Sequence, residues 1–175
     1  MKPFHFYSYG NSEILKHHKI AFLCSRTCPA HVILKAYDWA GEQRDKGVCV
    51  ISGFHSQIEK DVLHYLLKGR QPIILALARG MKQRLEPEIG RALREDRLLI
   101  VTPFDESMRR ASAGNAQKRN RLMADLADRV FVAHAAAGGN VEKLLRDCRR
   151  NGKPVATFDL KENQHLIKEG TAIYP

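Results

Sequence analysis

Six short apolar runs, each followed by a longer charged or amphipathic stretch, constrain this chain more than any other feature. They occupy residues 20–24, 48–51, 73–77, 98–101, 130–133 and 155–158. Runs of four or five aliphatic residues without polar alternation belong to strands buried on both faces, as in parallel sheets covered by helices. The intervals read as those helices. Residues 29–46 carry Val32, Ala36, Trp39 and Ala40 on one face and end at Gly47; residues 57–68 turn Ile58, Val62, Leu63, Leu66 and Leu67 inward. A charged segment, 82–97, is interrupted by Pro87. Residues 117–128 set Leu122, Met123, Leu126 and Ala127 in one stripe, and 141–150 do the same with Val141, Leu144, Leu145 and Cys148.

Six alternations predict a three-layer, Rossmann-like α/β open sheet, mainly parallel, with about six strands and helices on both faces. Residues 19–159 form this domain. Residues 1–18 are expected as an N-terminal extension whose Phe4, Phe6 and Tyr7 dock on it, and 160–175 as a polar tail. Residues 105–116, around Ser112-Ala113-Gly114, lack periodicity and are expected to loop over the sheet.

A length of 175 residues with 44% hydrophobic content suits one domain with a substantial core. The apolar runs are far shorter than the roughly 20 residues that cross a bilayer. The first residues, Met1-Lys2-Pro3-Phe4-His5-Phe6-Tyr7, have neither the apolar core nor the cleavage site of a signal peptide, so the expectation is a cytoplasmic protein without membrane contact. Cys24, Cys28, Cys49 and Cys148 show no C-x-x-C spacing, and no ligand cluster emerges from the eight histidines, so neither a metal nor another cofactor is expected. With 29 Lys and Arg against 19 Asp and Glu, the formal charge is +10, which favours a polyanionic partner.

In open α/β sheets ligands bind beyond the carboxyl ends of the strands. That rule gathers Ser25 and Arg26, then Ser52, Gly53, Phe54 and His55, then Arg79, Phe104, His134, Gly138 and Gly139 onto one rim. Ser52-Gly53 and Gly138-Gly139 are candidate phosphate cradles, because glycine lets backbone amides approach an anion. Arg119, Asn120 and Arg121, expected at a helix start, add two guanidinium groups and an amide. Phe54 and Phe104 either stack a base or cover the core edge. His55 and His134 read as hydrogen-bonded rim residues, and Glu59, Asp61 and Glu142 as solvated helix carboxylates. No G-x-x-x-x-G-K-[ST] or G-x-G-x-x-G is present, which disfavours a P-loop hydrolase and an ordinary dinucleotide dehydrogenase.

Four segments taken in order carry a resemblance: Cys24-Ser25-Arg26; Ile51-Ser52-Gly53-Phe54-His55-Ser56-Gln57-Ile58-Glu59; Arg119-Asn120-Arg121-Leu122-Met123-Ala124-Asp125-Leu126-Ala127-Asp128; and Gly152-Lys153-Pro154-Val155. Together they resemble the DNA-processing protein DprA/Smf family over about residues 19–159, most specifically in the Arg-Asn-Arg block. Gln57 and Glu59 stand where the family has Gly and Asp, and Gly138-Gly139-Asn140 where it has Ser-Gly-Ser. The resemblance implies binding of single-stranded DNA or a nucleotide through Ser25, Arg26, Ser52, Gly53, Arg119, Asn120, Arg121, Gly138 and Gly139, and the rim placement adds Phe54 or His55 as a residue that stacks a base. It also implies a role in DNA uptake and recombination with a RecA-type recombinase as partner; exposed apolar helix faces leave room for a homodimer. Two alternatives stay open. The LOG phosphoribohydrolases, wider relatives, carry an Arg-Lys-x-x-Met block that Arg119 and Met123 match in part; there Arg119 would hold the phosphate of a nucleoside monophosphate and Glu142 would assist departure of the base. The other is a non-catalytic nucleotide sensor.

Overall fold

The structure, a computed structural model, describes residues 5–81 and 84–175. Phe4, and Lys82 at the start of the charged segment, lie outside the described residues. The expected strands are all present as β2 (Lys19–Cys24), β3 (Cys49–Ser52), β4 (Ile73–Ala76), β5 (Leu98–Thr102), β6 (Arg129–His134) and β7 (Val155–Thr157). Two edge strands add to them: β1 (Tyr7–Gly10), within the expected extension, and β8 (Ala172–Ile173), within the expected tail. The order is β1-β5-β4-β3-β2-β6-β7-β8, parallel except where β1 runs antiparallel to β5. All four residues of β1 are exposed, so it has no buried run by which it could be read.

Helices α1 (Ala30–Asp45), α2 (Gln57–Leu67) and α3 (Pro87–Arg94) cover one face. There Trp39 stacks on Phe131, centroids 4.6 Å apart and planes 9° from parallel, with Phe22 alongside. Helices α4 (Ala113–Leu126), α5 (Asn140–Arg150) and α6 (Gln164–Lys168) cover the other, over Ala21, Leu23, Val130 and Val132. Pro87 does not interrupt α3 but begins it, since its missing N–H is not needed in a first turn. Helix α4 starts four residues before the expected 117, where Ser112 caps the amide of Asn115; its exposed first turn bears no apolar stripe to reveal it. No helix among the described residues is long and apolar enough to cross a membrane, and no group of three or more metal-ligating side chains occurs among them. All four cysteines are free thiols.

From β2 the chain steps outward through β3, β4 and β5, then returns past β2 to β6 and β7. The order therefore reverses between β2 and β6, and the carboxyl ends of β2 to β7 open on one edge of the sheet.

Candidate functional site

The turn from β3 into α2 is built around a guanidinium. Arg119 lies four residues before Met123 on the stripe of α4 that packs against the sheet, so its stem is buried and only 6% of the residue is exposed. Its head lies on Gly53. A Cβ at that position would stand 1.5 Å from Arg119 Nη1 and 2.2 Å from Cζ, so the approach requires glycine. Arg119 Nε donates to Asn120 Oδ1 at 2.8 Å, which fixes the plane of the head. Burial pushes the guanidinium pKa down, and the charge of Glu59 pulls it back up. Among the described residues no carboxylate lies within ion-pair distance of Arg119. A fork of donors is thus held in place with most of its hydrogen-bonding capacity free.

Next to it opens a cavity of about 500 Å³ between the ends of β3 and β4 and the helices α2 and α3. Leu63, Leu67, Leu75, Leu77 and Ile89 form apolar walls, and the polar lining comes from Arg119, Arg79, Lys60, His55 and His64 together with two carboxylates, Glu86 and Glu88. Phe54 borders it from below in a left-handed backbone conformation, φ 46°, unusual for an aromatic residue and costing on the order of 1–3 kcal/mol. Phe54 and Phe104 are both buried, at 6% and 8% exposure, and serve as core edge rather than as stacking platforms.

At both glycine turns some of the amides expected to cradle a phosphate are taken by the protein's own groups. At the first, the amides of His55 and Ser56 donate to Glu59 Oε2 at 3.0 and 2.9 Å, and Ser56 Oγ accepts from the amide of Glu59 in return. Ser52 is fully buried and its hydroxyl donates to the carbonyl of Phe22 at 3.0 Å. At the second, the amide of Gly138 (φ 73°) donates to Glu142 Oε2 at 2.6 Å, and that of Gly139 to the carbonyl of Ala136 at 3.0 Å. Glu59 and Glu142 both occupy the third position of their helices, and each places a carboxylate where a phosphate was expected. Both are buried, at 5% and 6% exposure, and so are not the solvated carboxylates that the sequence suggested. The Ser56-x-x-Glu59 spacing was a readable signal for the first; the second, behind a glycine cap, carried none.

The remaining rim residues fall into two groups. At the reversal between β2 and β6, Ser25 donates its amide to the carbonyl of His134 and accepts the amide of Ala136 on Oγ, each at 2.9 Å, which ties the two strand ends together; His134 Nδ1 meets Asn163 Oδ1 at 3.1 Å. Arg26 beside them is exposed. Glu142 faces His165 at 3.7 Å and Arg146 at 3.9 Å at the start of α5 after β6, whereas the head of Arg119 lies on the turn after β3.

Residues 1–173 match the family described as DNA recombination-mediator protein A. The chain belongs to that family. Among solved structures, DNA processing protein A from Streptococcus pneumoniae is similar with a TM-score of 0.79 and 19% identity, over 97% of this chain and 62% of that one. DNA processing protein A from Helicobacter pylori, described for its single-stranded DNA binding mode, gives 0.76 and 19%, over 95% and 80%. The molybdenum cofactor binding protein of Rippkaea orientalis gives 0.63 and 15%, over 91% and 90%. These identities establish a shared fold. This chain spans less than two thirds of the Streptococcus pneumoniae protein, and no curated protein matches it in sequence. In this DNA recombination-mediator protein A family member the Arg-Asn-Arg block divides by helix geometry. Two residues turn a helix by about 200°, so Arg119 faces the sheet while Arg121 reaches Asp147 of α5 at 3.5 Å.

Proposed function

We propose that this protein binds single-stranded DNA along the carboxyl edge of its sheet, with Arg119 gripping a phosphate and the adjacent cavity receiving the attached base. The observation that carries this reading is the buried guanidinium on Gly53, without a carboxylate in ion-pair distance, opening onto an apolar-walled cavity whose lining carries Arg79 and Lys60 beside Glu86 and Glu88. A charged fork and apolar walls suit a nucleotide, which is anionic at one end and flat and weakly polar at the other. Phosphate contact carries no sequence information, so binding is sequence-tolerant and weakens with salt. The formal charge of +10 strengthens the attraction. Arg26 and Arg79 extend the cationic lip, and Asn120 acts by holding Arg119 in place.

Family membership supports a role in recombination or DNA uptake, acting in the cytoplasm with a RecA-type recombinase as the partner to test. A mononucleotide sensor or hydrolase would draw more heavily on the glycine turns, where Glu59 accepts the amides of His55 and Ser56 and Glu142 that of Gly138. The test is an anisotropy titration with labelled oligo-dT. Arg119→Ala is expected to weaken binding by about 1.5–3 kcal/mol, the range of a charge-assisted contact, with Arg119→Lys in between. Wild-type protein that fails to bind at low ionic strength defeats the reading, as does release of free base from adenosine monophosphate.

A further inference from the structure

We propose that the DNA strand continues from the Arg119 cavity toward the β5 edge, through a second cleft that holds neighbouring phosphates. The inference rests on the reading above and adds a second subsite and a direction to it. The cleft, of about 560 Å³, is lined by Arg79, Arg84 and Arg109 against a single carboxylate, Glu106, with Met81 and Met108 as apolar flanks. Arg79 borders both this cleft and the Arg119 cavity, so the two are neighbours across that side chain. Among the described residues none of the three arginines has a carboxylate within ion-pair distance. The hydrogen bond that Arg79 makes there runs to the carbonyl of Arg109, at 3.4 Å.

The cleft has a fixed backbone. The amide of Gly80 donates to the carbonyl of Met108 at 2.8 Å, and a Cβ at Gly80 would stand 2.3 Å from the carbonyl oxygen of Asp105. Thr102 donates its hydroxyl to the carbonyl of Arg79 at 2.6 Å and accepts the amide of Phe104 at 3.2 Å. The loops after β4 and β5 are therefore pinned backbone to backbone, and Arg79 and Arg109 are presented side by side. Taken along the sheet, Arg26 follows β2, the head of Arg119 lies over the β3 turn, Arg79 follows β4, and Arg109 lies in the loop after β5. One guanidinium per strand across four adjacent strands makes a row about 14 Å long at the usual strand spacing, long enough to engage successive phosphates.

The test is the salt dependence of oligo-dT binding by the Arg84→Ala/Arg109→Ala double variant. Both side chains are exposed, so the fold is not at risk. The affinity is expected to fall about ten- to hundredfold, and the slope of log affinity against log salt to shrink by about 0.7 for each phosphate that the variant no longer neutralises. A Lys68→Ala/Arg70→Ala control at the opposite edge, removing the same charge, should leave the slope unchanged. Should the Arg84/Arg109 variant bind with the wild-type slope, or the control weaken as much, the second cleft falls while the Arg119 reading stands. If wild-type protein does not bind at all, both fall.

Discussion

Replacing Gly53 by alanine separates the role of Arg119 from the integrity of the fold. The new Cβ would lie 1.5 Å from Arg119 Nη1, 2.2 Å from Cζ and 2.8 Å from Nη2. Ordinary contact needs about 3.5 Å, so the head must retreat by roughly 2 Å, out of reach of a phosphate placed for the wild-type position. The obstacle is the far end of a flexible side chain, and Gly53 is not in the left-handed region, so the backbone need not change. The displaced guanidinium loses its bond to Asn120, worth about 1.5 kcal/mol at the low end for a charged donor, and regains water. Alanine also restricts the unfolded chain, contributing about 0.4–1 kcal/mol in the opposite direction. These effects nearly cancel, and the melting temperature should stay within about 4 °C of wild type. Affinity for oligo-dT should fall about ten- to hundredfold, the equivalent of one charge-assisted hydrogen bond. Anisotropy titration and a thermal melt read the two quantities separately. Adding Gly53→Ala to Arg119→Ala should cost nothing further, because both act through the same group. Unchanged affinity in the single variant, or a clear additional loss in the double, would refute the reasoning.

Three further outcomes follow from the same geometry. Arg121→Ala should change oligo-dT affinity far less than Arg119→Ala, since Arg121 faces Asp147 on α5; equal losses in parallel titrations would restore the whole block to the interface. Asn163 is fully buried and bonds the carbonyl of Ala133, Thr157 Oγ1 and His134 Nδ1; Asn163→Ala should therefore destabilise by about 1–3 kcal/mol in urea unfolding. The hydrogen bond from Arg146 holds the carboxyl of Glu169 below its ordinary range, with Arg149 assisting against some desolvation. A depressed carboxylate pKa stabilises the fold fully above the unfolded value of about 4.3 and loses that effect as pH falls through the folded value. Thermal melts of wild type should therefore drop below about pH 4.3 more steeply than those of Glu169→Gln; matching pH profiles would count against this linkage.

The fold was legible where burial left a pattern. The runs that became β2 to β7 are apolar because helices cover both sides of them, and Gly47 marked the end of α1 by its left-handed φ of 71°. Strands β1 and β8 were not legible, because exposed edge strands of four and two residues carry no such signal. The beginning of α4 was hidden by a solvent-facing first turn, which also moved Arg119 from the expected helix start into the second turn. At the site, Arg119 and Gly53 could each be read as candidates, yet their meeting depends on a helix and a turn more than 60 residues apart in the chain. The glycine turns misled because a glycine reveals that backbone can approach something without revealing what. Here Gly53 makes room for the protein's own Arg119, and Gly138 donates to its own Glu142.

A structure of the protein with a short oligo-dT tests the central claim most directly. The account predicts a phosphate oxygen about 2.7–2.9 Å from an Arg119 Nη atom above Gly53, the distance of a charge-assisted hydrogen bond, with the attached base between Leu63, Leu75 and Ile89. A strand seated on the amino edge of the sheet, or on the α4–α5 surface with Arg119 untouched, would contradict it.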